Sequence, residues 1–354
     1  MRDSERIARD KSLMSALIDG LPVPVLVVGT DGRILAVNPP TRALFPVLRL
    51  GDMLALNLRS PDVLDGILRV QAGGRSESVL WLERVPVQRL FEVHIATMAT
   101  EGAEQAVVLT LRDLTELRRV ERMRVDFVAN ASHELRTPLA SVLGFVETLQ
   151  GAAKDDPRAR ERFLGIMHEQ AKRMARLVDD LLSLSRIEQN LHLRPDQPVD
   201  LGLVVRHVSE TLARMARDNG LGLKVEAGAE IIVVGNHDEL VRLAENLIEN
   251  AIKYGTPPTG APPQPVEISV AVTGRQALFT VRDFGEGIAP EHLPRLTERF
   301  YRIDVGQSRS KGGTGLGLAI VKHITARHRG RLMIDSTPGE GAAFSVTLPL
   351  YDKK

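Results

Sequence analysis

The chain has 354 residues, too many for one ordinary domain, so two or three are expected. Lys+Arg 46 against Asp+Glu 45 leaves a net charge of +1, which offers no bulk field to nucleic acid or an acidic substrate, and 43% hydrophobic content belongs to a folded chain. The lack of cysteine excludes disulfides, thiolate metal sites and cysteinyl adducts, and it fits a reducing, cytoplasmic compartment.

From Ser12 to Ile18 a short amphipathic helix is expected, leading into VPVLVVGTDGRILAVNPPTRALF. That stretch predicts a strand, a turn at Thr30-Asp31-Gly32, a second strand and a small helix after Asn38. The apolar run Val23 to Gly29 falls far short of the ~20 residues a spanning helix needs, so the chain is expected to be soluble, with membrane attachment only through an N-terminal extension. Further strands are predicted at Ser78 to Leu82, Arg89 to Ala96 and Ala106 to Arg112, completing a mixed α/β domain. Within it TDGRILAVNP resembles the start of a PAS sensor domain, and the resemblance covers residues 12–115. His94, its only histidine, reads as a strand surface residue rather than a haem ligand.

Next, DLTE places Asp113 as a helix cap with Glu116 reaching back as a capping box. Apolar Val120, Met123, Phe127, Ala131, Leu135, Val142, Val146 and Leu149 then recur at steps of mostly three and four, interrupted near Pro138. GAAKDDPRAR breaks the pattern, and Phe163, Ile166, Gln170, Met174, Leu177, Leu181, Leu184 and Glu188 resume it. Residues 116–192 thus read as an antiparallel helical hairpin. A lone hairpin leaves apolar surface uncovered, and pairing two of them into a four-helix bundle solves that, so a homodimer is expected.

His133 lies two residues from both Ala131 and Leu135, about 200° round the helix from the apolar seam, and should face water. Neutral imidazole is a competent nucleophile at physiological pH, and the carboxylate of Glu134 is placed to take or orient its ring proton. Thr137, one turn along, carries a hydroxyl able to position a water against a phosphorylated ring. Pro138 removes one backbone bond and clashes with the carbonyl of Glu134, so the helix should bend or loosen beside the histidine. FVANASHELRTPLASVLGFVETL resembles the phospho-acceptor box of sensor histidine kinases, with its H-E-x-x-T-P core, and is most similar to the phosphate-regulon sensor kinases. The resemblance implies that His133 is phosphorylated, Glu134 is the base and Thr137 serves dephosphorylation.

After RPDQPVD the periodicity changes. Helices are predicted at Leu201 to Asn219, Asp238 to Tyr254 and Gly317 to His328, alternating with strands at Gly222 to Ala227, Ile231 to Gly235, Val266 to Val272, Ala277 to Asp283, Arg331 to Ser336 and Ala342 to Leu348. Residues 196–351 therefore form an α/β sandwich, and the whole chain is a multidomain α+β protein.

A phospho-acceptor needs a donor. No Walker A motif occurs, and GGTGLGLAI lacks the spacing and preceding strand of a dinucleotide fingerprint. Gly313, Gly315 and Gly317 do precede the helix LAIVKHITARH, where bare N–H groups and the helix dipole favour phosphate, although a flexible turn capping a helix would read the same way. In ENLIENAIKY, Asn246, Asn250 and Lys253 share one helical face, offering amide oxygens to Mg²⁺ and an ammonium to phosphate, while Glu249 lies off that face and should be solvated. Asp283, ending a strand in DFGEGI, is an acceptor for an exocyclic amine, and Gly285 and Gly287 let a planar base approach the backbone. Phe300 and Tyr301, just before VGQSRSKGG, suit an apolar hinge for a mobile lid.

In order, these segments resemble the N, G1, F and G2 boxes of Bergerat-fold kinases and ATPases. The resemblance implies Mg-ATP, with Asn250 as the Mg²⁺ ligand, Asn246 and Lys253 along the phosphates, Tyr254 flanking the nucleotide, Asp283 reading adenine and the three glycines holding the lid. ATPases of this fold carry a water-activating Glu four residues before the metal-binding Asn, and here that position is Asn246, which favours a kinase. Transfer to His133 and then to an aspartate of a response regulator, with regulator dephosphorylation as the reverse task, is the expected function. A catalytically silent dimeric scaffold that binds a regulator and a serine kinase of the anti-sigma type are the alternatives.

Overall fold

The computed structural model describes residues 16–84, 88–98, 106–228, 230–256, 262–303 and 313–352. The chain divides into two compact units, Met1–Asp126 and Phe127–Lys354.

In the first unit β1 (Val25–Val28) and β2 (Ile34–Val37) are joined at the expected turn, where Asp31 Oδ1 accepts from Arg33 N–H and Gly32 has a φ of 75°. Three helices follow, α1 (Pro39–Leu44), α2 (Leu54–Asn57) and α3 (Pro61–Gln71), and then β3 (Glu77–Glu83), β4 (Arg89–Met98) and β5 (Ala106–Asp113). The strands form one five-stranded sheet in the order β2-β1-β5-β4-β3. The sequence predicts a single small helix between β2 and β3, while of the helix expected from Ser12 to Ile18 residues 12–15 lie outside the described residues. The prediction passes over α3, whose Pro61 suits a first helical turn and whose Val63, Ile67 and Val70, at steps of four and three, are buried against the sheet. Phe45, Trp81 and Phe91 fill the space beneath, with ring centroids 5.0 to 5.4 Å apart. Fully buried Asn38 caps α1 through Oδ1, which accepts from Thr41 N–H at 3.1 Å, while its amide donates to Val23 O at 2.8 Å. His94 is exposed and its Nδ1 lies 3.2 Å from Ser78 Oγ.

The hairpin helices are α4 (Thr115–Gln150) and α5 (Pro157–Gln189). Asp113 accepts from Thr115 N–H at 2.8 Å, but Leu114 O takes the first helical bond, from Arg118, so the cap falls one residue later than expected, and Glu116 pairs with Arg119 instead of closing a capping box. The helix α4 runs uninterrupted across Pro138, so the expected loosening beside His133 is not seen as a break. Asp156 caps α5, and Phe145 of α4 meets Phe163 of α5 at 4.9 Å. No described helix is long and apolar enough to cross a membrane.

Beyond the hairpin come β6 (Gln197–Asp200), α6 (Leu201–Asp218), β7 (Leu223–Ala227), β8 (Ile232–Gly235), α7 (His237–Tyr254), β9 (Val266–Thr273), β10 (Gln276–Asp283), α8 (Gly317–Arg327), β11 (Arg331–Thr337) and β12 (Gly341–Pro349). The predicted helices and strands of this region agree with these to within a residue or two at each end. Strand β6, for which the sequence pattern predicts no strand, pairs antiparallel with β8. The main sheet is ordered β11-β12-β10-β9-β7, with only β7 and β9 parallel. Apolar stripes of the three helices, among them Leu243, Leu247 and Ile320, close over its inner residues Ile268, Phe279, Val281 and Val346. The same core takes in Leu177, Leu184 and Ile187 of α5. The second half of the predicted hairpin seam is therefore shared with the C-terminal α/β half, and Glu188, read as its last member, yields that place to Ile187.

Candidate active site

Asp283 ends β10 opposite Ala342 and is 4% exposed. Burial pushes its carboxyl above the usual range, and hydrogen bonds from the Gly285 and Ala342 backbone oppose that shift. Oδ1 takes the Gly285 N–H at 3.0 Å. Gly285 lies against the end of α7, where an added Cβ would stand 1.9 Å from Tyr254 O. The fold thus brings Tyr254, Asp283 and Gly285 to one place. Gly287, with φ 68°, backs onto Thr337.

Asn246 and Asn250 are half-buried on α7, one turn apart. A Cβ on Gly317, the first residue of α8, would sit 2.4 Å from Asn246 Oδ1, so the start of α8 and this amide face each other across a space only glycine leaves open. Amide oxygens are suitable ligands for a hard cation, and a bare helix N-terminus is suitable for phosphate, so the donor set fits Mg-ATP. Lys253 bonds Glu249 at 2.6 Å. The side chain of Glu249 is 35% exposed and held by that pair rather than fully solvated.

Phe300 adopts a left-handed backbone with φ 63° and donates its N–H to Gly315 O at 2.7 Å. Gly315, φ 73°, is pressed so close that a Cβ would lie 2.9 Å from the Phe300 backbone. The Phe300 ring meets Phe127 of α4 at 5.8 Å, over which Arg299 also stacks. Asp304 and the polar stretch through residue 312, read as a lid, lie outside the described residues, and Gly313 begins the next described segment.

His133 is exposed on α4, as its position off the seam predicts. Thr137 Oγ1 donates to His133 O at 3.2 Å. Glu134 turns toward guanidinium groups. Its side chain, 15% exposed, takes Arg173 of α5 at 3.0 Å and Arg302 at 3.1 Å, and Arg302 also donates to Gly313 O at 2.7 Å. Asp180 of α5 likewise accepts from Arg242 of α7 at 2.5 Å and from Thr314 Oγ1 at 2.7 Å. Glu188 pairs with Arg299 and with His323, whose burial lowers its ring pKa while Glu188 raises it.

The sequence reading missed Arg173, Asp180, Arg242, Arg302 and Thr314. A signal was present for Asp180, which stands on the stripe between Leu177 and Leu184 where a solvated acid does not belong.

Residues 123–190 match the family model of the His Kinase A (phospho-acceptor) domain, and residues 235–352 match that of the histidine kinase-, DNA gyrase B- and HSP90-like ATPase. The chain is 40% identical over 238 residues to the phosphate regulon sensor protein PhoR of Pseudomonas aeruginosa, covering 67% of this chain and 53% of that protein. It is 37% identical over 257 residues to the sensor-like histidine kinase SenX3 of Mycolicibacterium smegmatis, covering 72% and 65% respectively, so it spans less than two thirds of either relative. With a sensor protein kinase WalK of Staphylococcus aureus it shares 34% identity over 344 residues, 96% of this chain and 81% of that one. In fold it resembles histidine kinase ThkA, solved in complex with response regulator protein TrrA, at TM-score 0.50 and 20% identity, over 95% of this chain and 98% of that chain.

Proposed function

The chain belongs to the sensor histidine kinases, and from that membership we propose that it moves the γ-phosphoryl group of Mg-ATP to His133 and passes it to an aspartate of a response regulator. The observation that carries the reading is the exposed His133, on the helix matched to a phospho-acceptor domain, in one compact unit with the buried Asp283 of the matched ATPase domain. In the transfer an imidazole nitrogen attacks phosphorus, an N–P bond forms, the O–P bond to ADP breaks, and Glu134 takes the proton from the other ring nitrogen. Asp283 accepts the exocyclic amine of adenine, Tyr254 flanks the base, Gly285 and Gly287 let it approach, and Asn246, Lys253, Gly313, Gly315 and Gly317 line the phosphates. Asn250 holds Mg²⁺, which supplies charge neutralisation when bound. The absence of a glutamate at position 246 spares ATP from water.

Thr137 serves the reverse task, dephosphorylation of the regulator, through the lone pairs its hydroxyl oxygen keeps for a water. Two copies pair through their hairpins, supported by the exposed Val120, Met123, Val128, Leu139 and Leu143 of α4. The working divisions are a PAS-like sensor at 12–115, supported by a sheet with its helices inserted between the second and third strands, a hairpin at 116–192 and a nucleotide domain at 196–351. The compartment in this reading is cytoplasmic.

The test is incubation with radiolabelled ATP. An acid-labile, alkali-stable phosphate that disappears in His133→Gln is expected. Acid-stable label would favour a serine kinase, and no label in a dimer that binds ATP would leave a silent scaffold.

A further inference from the structure

Three carboxylates of the hairpin point at the nucleotide-binding half rather than at solvent or at each other. Glu134 reaches Arg302, Asp180 reaches Arg242 and Thr314, and Glu188 reaches Arg299. Two of these grips converge on the glycine segment ahead of α8. Thr314, between Gly313 and Gly315, is bound to Asp180 directly, and Gly313 is bound through Arg302 to Glu134.

Asp180 is the centre of this arrangement. It sits on the buried stripe of α5, its side chain is 16% exposed, and its two oxygens are divided between two elements of the nucleotide site. Arg242, its ion-pair partner, lies one turn before Asn246 on α7 and offers its carbonyl to the Asn246 amide at 2.8 Å. A carboxylate in that place costs desolvation energy, which the charge-assisted bonds offset only while the halves stay docked. Glu134 is engaged by two arginines in the same conformation, so the carboxylate assigned to take the His133 proton is occupied.

We infer that Asp180 is a positioning residue that latches the glycine segment through Thr314 and Arg242, holding the protein in a docked state in which phosphoryl transfer to His133 is restrained. The inference rests on the kinase reading above. Transfer requires the nucleotide half to leave this docking, the Asp180 bonds to break and Glu134 to exchange its guanidinium partners for the imidazole. The latch acts on the population able to react and leaves the chemistry of the reacting state unchanged.

The experiment compares initial rates of His133 labelling from radiolabelled ATP in the full chain and in Asp180→Ala and Thr314→Val. Each variant is expected to label roughly three- to tenfold faster, the effect of losing one or two modest hydrogen bonds from the docked state alone. The turnover number should rise while the KM for ATP moves by less than about twofold, a split that a merely structural defect would not produce. The double variant should be no faster than Asp180→Ala alone, because the Asp180–Thr314 bond is the contact through which Thr314 joins the latch; Thr314 Oγ1 also accepts from Leu316 N–H at 3.3 Å, a bond within the glycine segment that does not reach the hairpin. If Asp180→Ala fails to fold, Thr314→Val, close to isosteric, decides by itself. Unchanged or slower labelling in a folded variant, beside a wild type that labels at His133, overturns the latch and leaves the kinase reading standing. A wild type without acid-labile label overturns the kinase reading and the latch with it.

Discussion

The two five-stranded sheets of this protein are closed in opposite ways. In the N-terminal sheet the space under the strands is filled by Phe45, Trp81 and Phe91, and a polar group taken inside, Asn38, spends its hydrogen bonds on backbone and on the buried Thr41 hydroxyl. In the C-terminal sheet the core is likewise apolar, yet at the end of β10 it holds a carboxylate, Asp283, beside a glycine packed on Tyr254. A buried polar group bound wholly within the fold reads as structure. One held at the end of a strand, beside glycines that let the backbone pack closely, reads as recognition.

The contrast breaks if the roles can be exchanged. Phe91→Ala should cost about 3–5 kcal/mol of stability in the N-terminal unit by cavity formation, read as an early denaturation transition, while ATP affinity of the folded protein holds. Asp283→Ala should do the opposite, weakening nucleotide binding by about 1.5–3 kcal/mol, or roughly 10- to 150-fold in titration calorimetry, because adenine loses a charged acceptor. Equal losses of stability and binding in both variants would erase the distinction.

A finer test uses Gly315, whose φ of 73° and contact with Phe300 exclude a side chain. Gly315→Ala should cost about 1–2 kcal/mol, seen as weaker ATP binding with little change in the first denaturation transition.

A pH series sharpens the comparison within the C-terminal half. Buried His328 accepts from Asn236 N–H through Nε2 at 3.0 Å and lies 2.8 Å from Ile324 O through Nδ1, and burial pulls its ring pKa below the usual value. The unfolded chain therefore binds the proton first, so stability is full above about pH 6.5 and falls as the pH drops below it, by at most about 1.4 kcal/mol per pH unit for this group. His328→Gln should flatten that slope in urea titrations between neutral and mildly acid pH. The smallest effect is expected for Thr137→Ala. Its hydroxyl bonds only an exposed backbone carbonyl in this structure, so stability should change by less than about 0.5 kcal/mol, and a slower regulator dephosphorylation would be its signature.

Much of this is legible in the sequence. The helices at Leu201, His237 and Gly317 and the strands between them were readable because side-chain periodicity is a local property of the backbone. The exposure of His133 followed from the same geometry. The helix α3 escaped because its apolar stripe is short and opens on a proline, which also marks loops. Glu249 was read as solvated because helical angle alone does not say which neighbour a long side chain will choose, and Lys253, one turn on, was there to take it.

By itself, then, the sequence determined most of the elements, the alternation of their faces and the order of the nucleotide and phospho-acceptor segments. Only the tertiary structure decided which carboxylates meet which cations. Asp180 and Thr314 are 134 positions apart and Glu134 and Arg302 168 apart, and no periodicity spans such distances. Their meeting depends on the docking of α5 against the nucleotide-binding core, where burial of Leu177, Leu184 and Ile187 supplies the driving force and the acids beside them must take whatever partners that packing presents.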